Sequence, residues 1–324
     1  MSKAVILEEF GGPEVLRWQD VALPAPGPGE VRLRHTAVGL NFIDTYQRTG
    51  LYPLKLPSGL GMEAAAEVVA IGDGVDFVRP GDRVAYLSMP PGAYSEERNY
   101  LVDQLVKLPD GVADQTAAAA MLKGLTAWYL LHKSYRVQAG DYVLLYAAAG
   151  GVGLIAAQWA RHLGVKVIGV VSTAEKAELA KKFGCSDVVM SDAENLISEV
   201  RAATGGEGVA AVYDSVGKDS FYQSLDCLRP HGTMVSFGNA SGPVDPVPLL
   251  ELSRRGSLFL TRPAVFDFIG TAAELRAAAA ELFAVIEQDV VTIEIGQTWP
   301  LADVADAHRA LEARATVGST VLLP

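Results

Sequence analysis

The sequence predicts an α/β chain in which a β-rich, barrel-like part is joined to a doubly wound parallel sheet. From near Ala117 to about residue 260, short apolar runs alternate with amphipathic helical runs, the pattern of a parallel sheet with crossover helices. Before Ala117 the chain is dominated by period-two runs and turn residues. Its 324 residues suit about two domains.

In the first part, Val31-Arg-Leu-Arg-His-Thr-Ala-Val38 alternates as a half-buried strand does. Ala64–Ile71 is a small-then-branched apolar run that ends at Gly72-Asp73-Gly74. Pro80-Gly81-Asp82 turns the chain into a strand over Arg83–Leu87. Pro24-Ala-Pro-Gly-Pro-Gly29 is a rigid turn, too short to link independent domains. In the second part, Tyr142–Tyr146 reads as strand and Val152–Leu163 as a helix closed by Gly164. Val165–Val171 is strand, Glu175–Phe183 helix with a stop at Gly184, and Asp187–Met190 strand. A helix over Ala193–Ala203 and strands over Val209–Tyr213 and Thr233–Phe237 continue the alternation. The tail predicts a long helix over Thr271–Glu287 and a strand near Thr292–Ile295. A helix over Val304–Glu312 and a last strand, Thr320–Leu323, complete it.

Half of the residues are hydrophobic and a fifth are charged, an ordinary globular composition. The net charge of −11 repels a phosphate backbone and argues against nucleic acid as a partner. Cys185 and Cys227 are the only cysteines, which excludes a disulfide framework and a cysteine-built zinc site. The apolar stretch at the start is too short for a secretory segment. Tyr142–Ala160 is uncharged over 19 residues, close to spanning length. Gly150, Gly151 and Gly153 interrupt it, and its first part reads as strand. The expectation is a cytoplasmic protein with no membrane span.

The strongest local signal is Ala147-Ala-Ala-Gly150-Gly151-Val152-Gly153, between an apolar strand and an apolar helix. Small residues let the backbone approach a diphosphate, and Gly153 lets the helix pack on the sheet. The helix start supplies unpaired N–H groups and the positive end of its dipole. This is A-x-G-x-x-G, one glycine short of the common dinucleotide fingerprint.

The end of the second strand selects the dinucleotide. An NAD site wants a carboxylate there to accept from the adenosine ribose. Ser172 stands nineteen residues after Gly153, followed by Thr173-Ala174-Glu175-Lys176. A 2′-phosphate would find donors in Ser172 and Thr173 and a countercharge in Lys176. NADP(H) is therefore the expected cofactor, with Glu175 leaving a ribose contact as the alternative.

Seven stretches in order carry a resemblance. They are Gly11-Gly-Pro-Glu-Val-Leu16, Gly39-Leu-Asn-Phe-Ile-Asp-Thr-Tyr46, Leu56-Pro-Ser-Gly-Leu-Gly-Met-Glu63 and Lys123-Gly-Leu-Thr-Ala127, then Ala147–Gly153, Tyr213-Asp-Ser-Val-Gly217 and Ser236-Phe-Gly-Asn239. Over essentially its whole length the chain resembles the NADPH-dependent quinone oxidoreductases, the ζ-crystallin-like branch of the medium-chain dehydrogenase/reductases. The resemblance implies a Rossmann doubly wound parallel-sheet domain inserted into a GroES-like β-barrel catalytic domain. Residues 1–121 would form the catalytic domain, 122–264 the nucleotide domain, and 265–324 the return to the catalytic domain. It further implies NADPH in the cleft between the two and a homodimer. An apolar strand over Ser257-Leu-Phe-Leu260 at a sheet edge would suit such pairing.

Carried over residue by residue, the implied cofactor contacts are Asn41, Phe42, Asp44 and Tyr46, then Tyr129. Gly150, Gly151 and Val152 would hold the diphosphate, and Ser172 and Lys176 the adenosine phosphate. Val216, Phe237, Gly238 and Ser241 would lie along the nicotinamide half, and Arg314 would add a second countercharge. Some relatives have a tyrosine after the third strand where this chain has Ser191, which would weaken the preference for NADPH.

Zinc enzymes of the superfamily carry a cysteine at the position of Asn41 and Gly-His-Glu at Gly61-Met62-Glu63. His35, His132, His162, His231 and His308 have no ligand spacing, so no metal is expected. Without a Lewis acid the acceptor must already be electrophilic, as a quinone is. Candidates to stabilise the developing oxyanion are the Asn41 amide and the Tyr46 and Tyr52 phenols. Alternatively, Asn41 orients the nicotinamide ribose and Tyr52 walls the pocket. The expected activity is NADPH:quinone reduction (EC 1.6.5). The alternatives are an alkenal or enone reductase and a non-catalytic NADPH-binding, crystallin-like protein.

Overall fold

The computed structural model describes residues 2–192 and 194–324. One unit comprises Met1–Leu125, Ile269–Glu287 and Ile293–Pro324, and the other Thr126–Phe268 and Gln288–Thr292. The first unit opens with β1 (Ser2–Leu7), β2 (Arg17–Val21), β3 (Glu30–Leu40), α1 (Phe42–Arg48) and β4 (Ser58–Gly59). It continues through β5 (Glu63–Ile71), β6 (Arg83–Leu87), β7 (Glu97–Leu101) and β8 (Leu105–Lys107), and α2 (Asp114–Tyr129) ends in the second unit. β3 alternates as its sequence predicts: Val31, Leu33, His35 and Ala37 are buried, while Arg32 and Arg34 point outward. It pairs antiparallel with β5, and in that register Gly39 lies opposite Glu63.

The second unit carries β9 (Tyr142–Tyr146), α3 (Gly151–His162), β10 (Lys166–Val171), α4 (Ala174–Lys182), β11 (Asp187–Met190) and α5 (Leu196–Ala203). β12 (Val209–Asp214), α6 (Phe221–Cys227), β13 (Leu228–Ser236), α7 (Leu250–Arg254) and β14 (Phe259–Thr261) follow. The strands pair in the order β11-β10-β9-β12-β13-β14, every pair parallel. This is a doubly wound sheet that reverses direction between β9 and β12, where such sheets bind ligands at their carboxyl ends.

α8 (Ala272–Glu287), β15 (Ile295–Pro300), α9 (Val304–Glu312) and β16 (Ser319–Leu323) return to the first unit. There β16 adds to β3 in a sheet ordered β15-β16-β3-β5-β6-β8, with β7 also paired to β3. Among the described residues, no helix is long and apolar enough to cross a membrane.

Four elements differ from their sequence expectations. The strand expected over Thr233–Phe237 starts at Leu228, which already pairs with Val209 of β12. The strand expected near Thr292–Ile295 begins at Ile295 and runs to Pro300. Gln158 holds the Thr292 backbone at both its N–H (2.9 Å) and its C=O (3.0 Å), so pairing with β16 starts only at Ile295. The helix expected from Ala193 begins at Leu196, where buried Leu196 and Val200 start the apolar period; Ala193 itself lies outside the described residues. The edge strand begins at Phe259, because Ser257 takes a left-handed backbone (φ 57°) that ends extended pairing.

Candidate active site

The turn after β9 is built for close approach. A Cβ on Gly153 would stand 2.4 Å from the Ala147 carbonyl oxygen and 2.7 Å from two Ala148 backbone atoms. Gly150 is the N-cap of α3, and no side chain caps that helix start. The first-turn N–H groups of Gly151, Val152 and Gly153 are thus left for an anion. These features fit the diphosphate of a dinucleotide, and Gly150, Gly151 and Val152 would hold it.

At the adenosine end, Ser172 is exposed beyond β10 and Lys176 is half-buried in the first turn of α4. Ser191 follows β11 and donates its N–H to the Val171 carbonyl at 2.8 Å, so Ser172 and Ser191 occupy neighbouring strand ends. Thr173 has a local role that the sequence reading did not assign. Its hydroxyl is the N-cap of α4, accepting from Lys176 N at 3.3 Å, so Thr173 organises the helix start. Glu175 is fully exposed, and hydrogen bonds from its own backbone and the Thr173 hydroxyl hold its carboxyl below the ordinary range. Arg314 is an exposed residue of the first unit, in a left-handed turn (φ 57°) after α9. The two expected countercharges therefore belong to different units.

Buried Asp214 ties the strand ends β12 and β13 together. Its Oδ1 accepts from Val216 N (2.8 Å) and Gly217 N (3.1 Å), and its Oδ2 from the Ser220 and Ser224 hydroxyls, both at 2.7 Å. Phe237 N donates to the Asp214 carbonyl at 2.8 Å. A Cβ on Gly238 would meet the Ser215 carbonyl oxygen at 2.4 Å. The Ser241 hydroxyl donates to the Val216 carbonyl (2.9 Å) and accepts from Asp219 N (3.0 Å). Val216, Phe237, Gly238 and Ser241 are thus brought together, but the Ser241 hydroxyl spends its proton inside the loop. Tyr129 is buried and stacks on Phe268, with ring centroids 5.1 Å apart and planes within 10°.

In the first unit, α1 gathers the other candidates. Asn41 is its N-cap and donates its backbone N–H to Asp44 Oδ2 at 2.9 Å. Phe42, Tyr46 and Tyr52 form an aromatic row, with centroid spacings of 6.3 Å and 5.3 Å. Tyr52 is held there by its N–H on the Tyr46 carbonyl at 3.0 Å. The Asn41 side chain is less available than a free amide, because Nδ2 already donates to Glu63 Oε1 at 2.8 Å. Asp44 is fully buried and its carboxyl also accepts from the Tyr94 hydroxyl at 2.7 Å. Its place is under the helix start, orienting Asn41, and burial raises its pKa to about 7 against the opposing hydrogen bond from Tyr94.

Sequence reasoning missed the partners behind this surface. Lys123 Nζ stands 2.8 Å from Glu63 Oε1, with both side chains buried. Tyr94, His308, Arg48 and Glu312 continue the Asp44 network. One signal was present in the sequence: Lys123 is the lone charge in the apolar run from Ala117 to Leu131, and a buried lysine needs an acid partner.

Two family models match the chain: an alcohol dehydrogenase GroES-like domain over residues 27–137 and a zinc-binding dehydrogenase domain over 151–284. The chain is 52% identical over 325 residues to quinone oxidoreductase of Pseudomonas aeruginosa, with both proteins covered completely. It belongs to the quinone oxidoreductase family. A 2-haloacrylate reductase of Burkholderia sp is 46% identical over 331 residues, covering 100% of this chain and 99% of that protein. The crystal structure of Escherichia coli quinone oxidoreductase complexed with NADPH superposes with a TM-score of 0.97 at 46% identity, covering 99% of this chain and 100% of that one.

Within this family fold the chain's own residues do not suit zinc. Asn41 gives an amide hydrogen to Glu63, and the Lys123 ammonium lies on the same carboxylate oxygen. The Met62 sulfur accepts from Gln47 Nε2 at 3.2 Å. A cation held by this carboxylate would have to displace a lysine. Among the described residues no cluster of three or more His, Cys, Asp or Glu could hold a metal. Cys185 and Cys227 are buried, and burial pushes both thiols up to about 12.

Proposed function

We propose that this chain is an NADPH-dependent quinone reductase working without a metal. The observation that carries the reading is the closed Asn41–Glu63–Lys123 cluster where zinc relatives place their ligands. With no Lewis acid there, the acceptor must itself be electrophilic, and a quinone is. When bound, NADPH supplies the reducing equivalents through its nicotinamide C4. The uncapped N–H groups at the start of α3 bind its diphosphate, and Ser172 and Lys176 bind its adenosine phosphate. Asn41 and the Phe42–Tyr46–Tyr52 row hold the flat acceptor and offer donors to its developing oxyanion. The similarity to quinone oxidoreductases over the full length supports both substrate class and cofactor.

We further place the enzyme in the cytoplasm as a homodimer. The exposed edge strand β14, with Phe259 61% and Leu260 38% accessible, supports pairing with a second copy. A second reading is reduction of an activated alkene, favoured by the likeness to 2-haloacrylate reductase. An acceptor panel separates the two: 1,4-benzoquinone and a naphthoquinone against a 2-alkenal and 2-chloroacrylate, each with NADPH and NADH. Faster turnover of quinones with NADPH is expected; faster turnover of the alkenes would move the assignment to the second reading.

A further inference from the structure

Glu63 is a buried carboxylate behind the candidate site with a donor on each oxygen. Oε1 accepts from Asn41 Nδ2 and from Lys123 Nζ, both at 2.8 Å, and Oε2 accepts from Leu122 N at 2.5 Å. The residue is wholly buried, and three elements converge on it: the end of β3, the start of β5 and the middle of α2. Room for it is made by Gly39, its partner across the β3–β5 pair. A Cβ on Gly39 would lie 2.2 Å from Glu63 Oε1 and 2.3 Å from the Ala118 carbonyl oxygen. A side chain at position 39 would therefore expel the carboxylate.

A carboxylate accepts and does not donate, whereas a carboxamide has a donating and an accepting end. Against Glu63 the Asn41 amide must present its NH2 group; the flipped amide would oppose two acceptors. The carbonyl Oδ1 then lies on the side of the Asp44 backbone N–H, in the capping box of α1, and the second N–H of Nδ2 is fixed with it. We propose that Lys123 is a positioning residue for the reduction, acting through Glu63 to fix which end of the Asn41 carboxamide meets the bound ligand. The inference rests on the reading that Asn41 contacts that ligand. Without the lysine, the buried carboxylate loses the ammonium that fixes Oε1 against the amide, and it no longer dictates the amide's orientation.

The test is a double-mutant cycle on the full-length enzyme, reading kcat/KM for 1,4-benzoquinone at saturating NADPH. Lys123→Met should lower kcat/KM by about tenfold or more, the order expected for a misaligned contact. The same change made in Asn41→Ala should cost less than about twofold, because the residue it works through is gone. Lys123→Met/Glu63→Gln keeps the volume and leaves no buried charge, so it should recover the melting temperature while kcat/KM stays low. Recovery of turnover along with the melting temperature would make the pair merely structural and overturn the proposal. Equal losses from Lys123→Met in both backgrounds would place Lys123 on the ligand directly, which overturns it as well. If Asn41→Ala alone leaves kcat/KM unchanged, the reading of the site fails, and the positioning role fails with it. If Asn41→Ala is costly and both lysine variants are silent, only the positioning role fails.

Discussion

Tyr94 donates its phenolic hydrogen bond to Asp44 Oδ2 at 2.7 Å, deep under the start of α1. The same hydroxyl lies 3.1 Å from His308 Nε2, while Arg48 donates to His308 Nδ1 at 3.0 Å and to both oxygens of Glu312. An arginine only donates, so Nδ1 accepts and the neutral imidazole carries its proton on Nε2, facing Tyr94. Helix α9 is thereby locked to α1, the helix that presents Asn41, Tyr46 and the aromatic row.

This lock is sensitive to acid. Burial, with a smaller contribution from the Arg48 charge, lowers the His308 pKa to about 3. A lowered imidazole contributes stability that is complete above about 6.5 and lost as pH falls toward 3, because the unfolded chain takes up the proton first. His308→Gln removes the contacts together with this dependence. Its destabilisation relative to the parent should be largest near pH 8 and shrink on acidification by at most ~1.4 kcal/mol per pH unit. Asp44, raised to about 7, has the opposite sign, but it is present in both proteins. Thermal melts from pH 8 to 4 check this, and a difference independent of pH would refute it.

Elemental composition tests whether the enzyme holds a metal. Elemental analysis of purified, active enzyme should find zinc far below one per chain, and prolonged dialysis against a chelator should leave quinone turnover unchanged. Stoichiometric zinc, or loss of turnover on chelation, would mean that Lys123 and Asn41 give way to a cation.

The parts of the fold legible in the sequence are those whose cause is local. Ala147–Gly153 is readable because a strand, a small-residue turn and an apolar helix follow one another directly. Gly164 and Gly184 close their helices with left-handed backbones (φ 77° and 120°) that glycine adopts freely. The Glu63–Lys123 pair was not legible, since its partners are sixty residues apart and meet only when β5 packs against α2. The same holds for Arg48 and His308, separated by 260 positions. The Thr173 cap was missed although it is a local bond, between residues three apart. The Thr292 strand start was misplaced because a side chain from α3 holds that backbone.

Gly153→Ala should damage the cofactor site selectively. Its Cβ would meet backbone atoms, which cannot swing away as a flexible side chain could. Shifting the turn should destabilise the protein by about 1–3 kcal/mol and weaken NADPH and NADH alike, since both share the diphosphate. Fluorescence titration of both cofactors, with a thermal melt, measures this. Unchanged affinity would show that the turn does not cradle the diphosphate.

Pairing through β14 predicts a dimer by light scattering at micromolar concentration. Phe259→Lys places a charge on the edge strand and should shift the mass toward the monomer. A parent protein already monomeric would remove the proposed interface.

Cofactor choice should rest on Lys176. A 2′-phosphate carries close to two negative charges, and a hydrogen bond to a charged group contributes about 1.5–3 kcal/mol. Lys176→Ala should therefore weaken NADPH about ten- to a hundredfold and leave NADH nearly unchanged, because NADH has no phosphate there. Half-burial of Lys176 and exposure of Ser172 leave the charge open to solvent, so the discrimination should shrink as salt rises. Ser191 beside Ser172 offers a second probe. Ser191→Tyr should increase the NADPH preference if a ring there packs against the adenosine phosphate site. Equal weakening of both cofactors by Lys176→Ala would make the lysine a structural element of α4, and the NADPH preference would then lose its local basis.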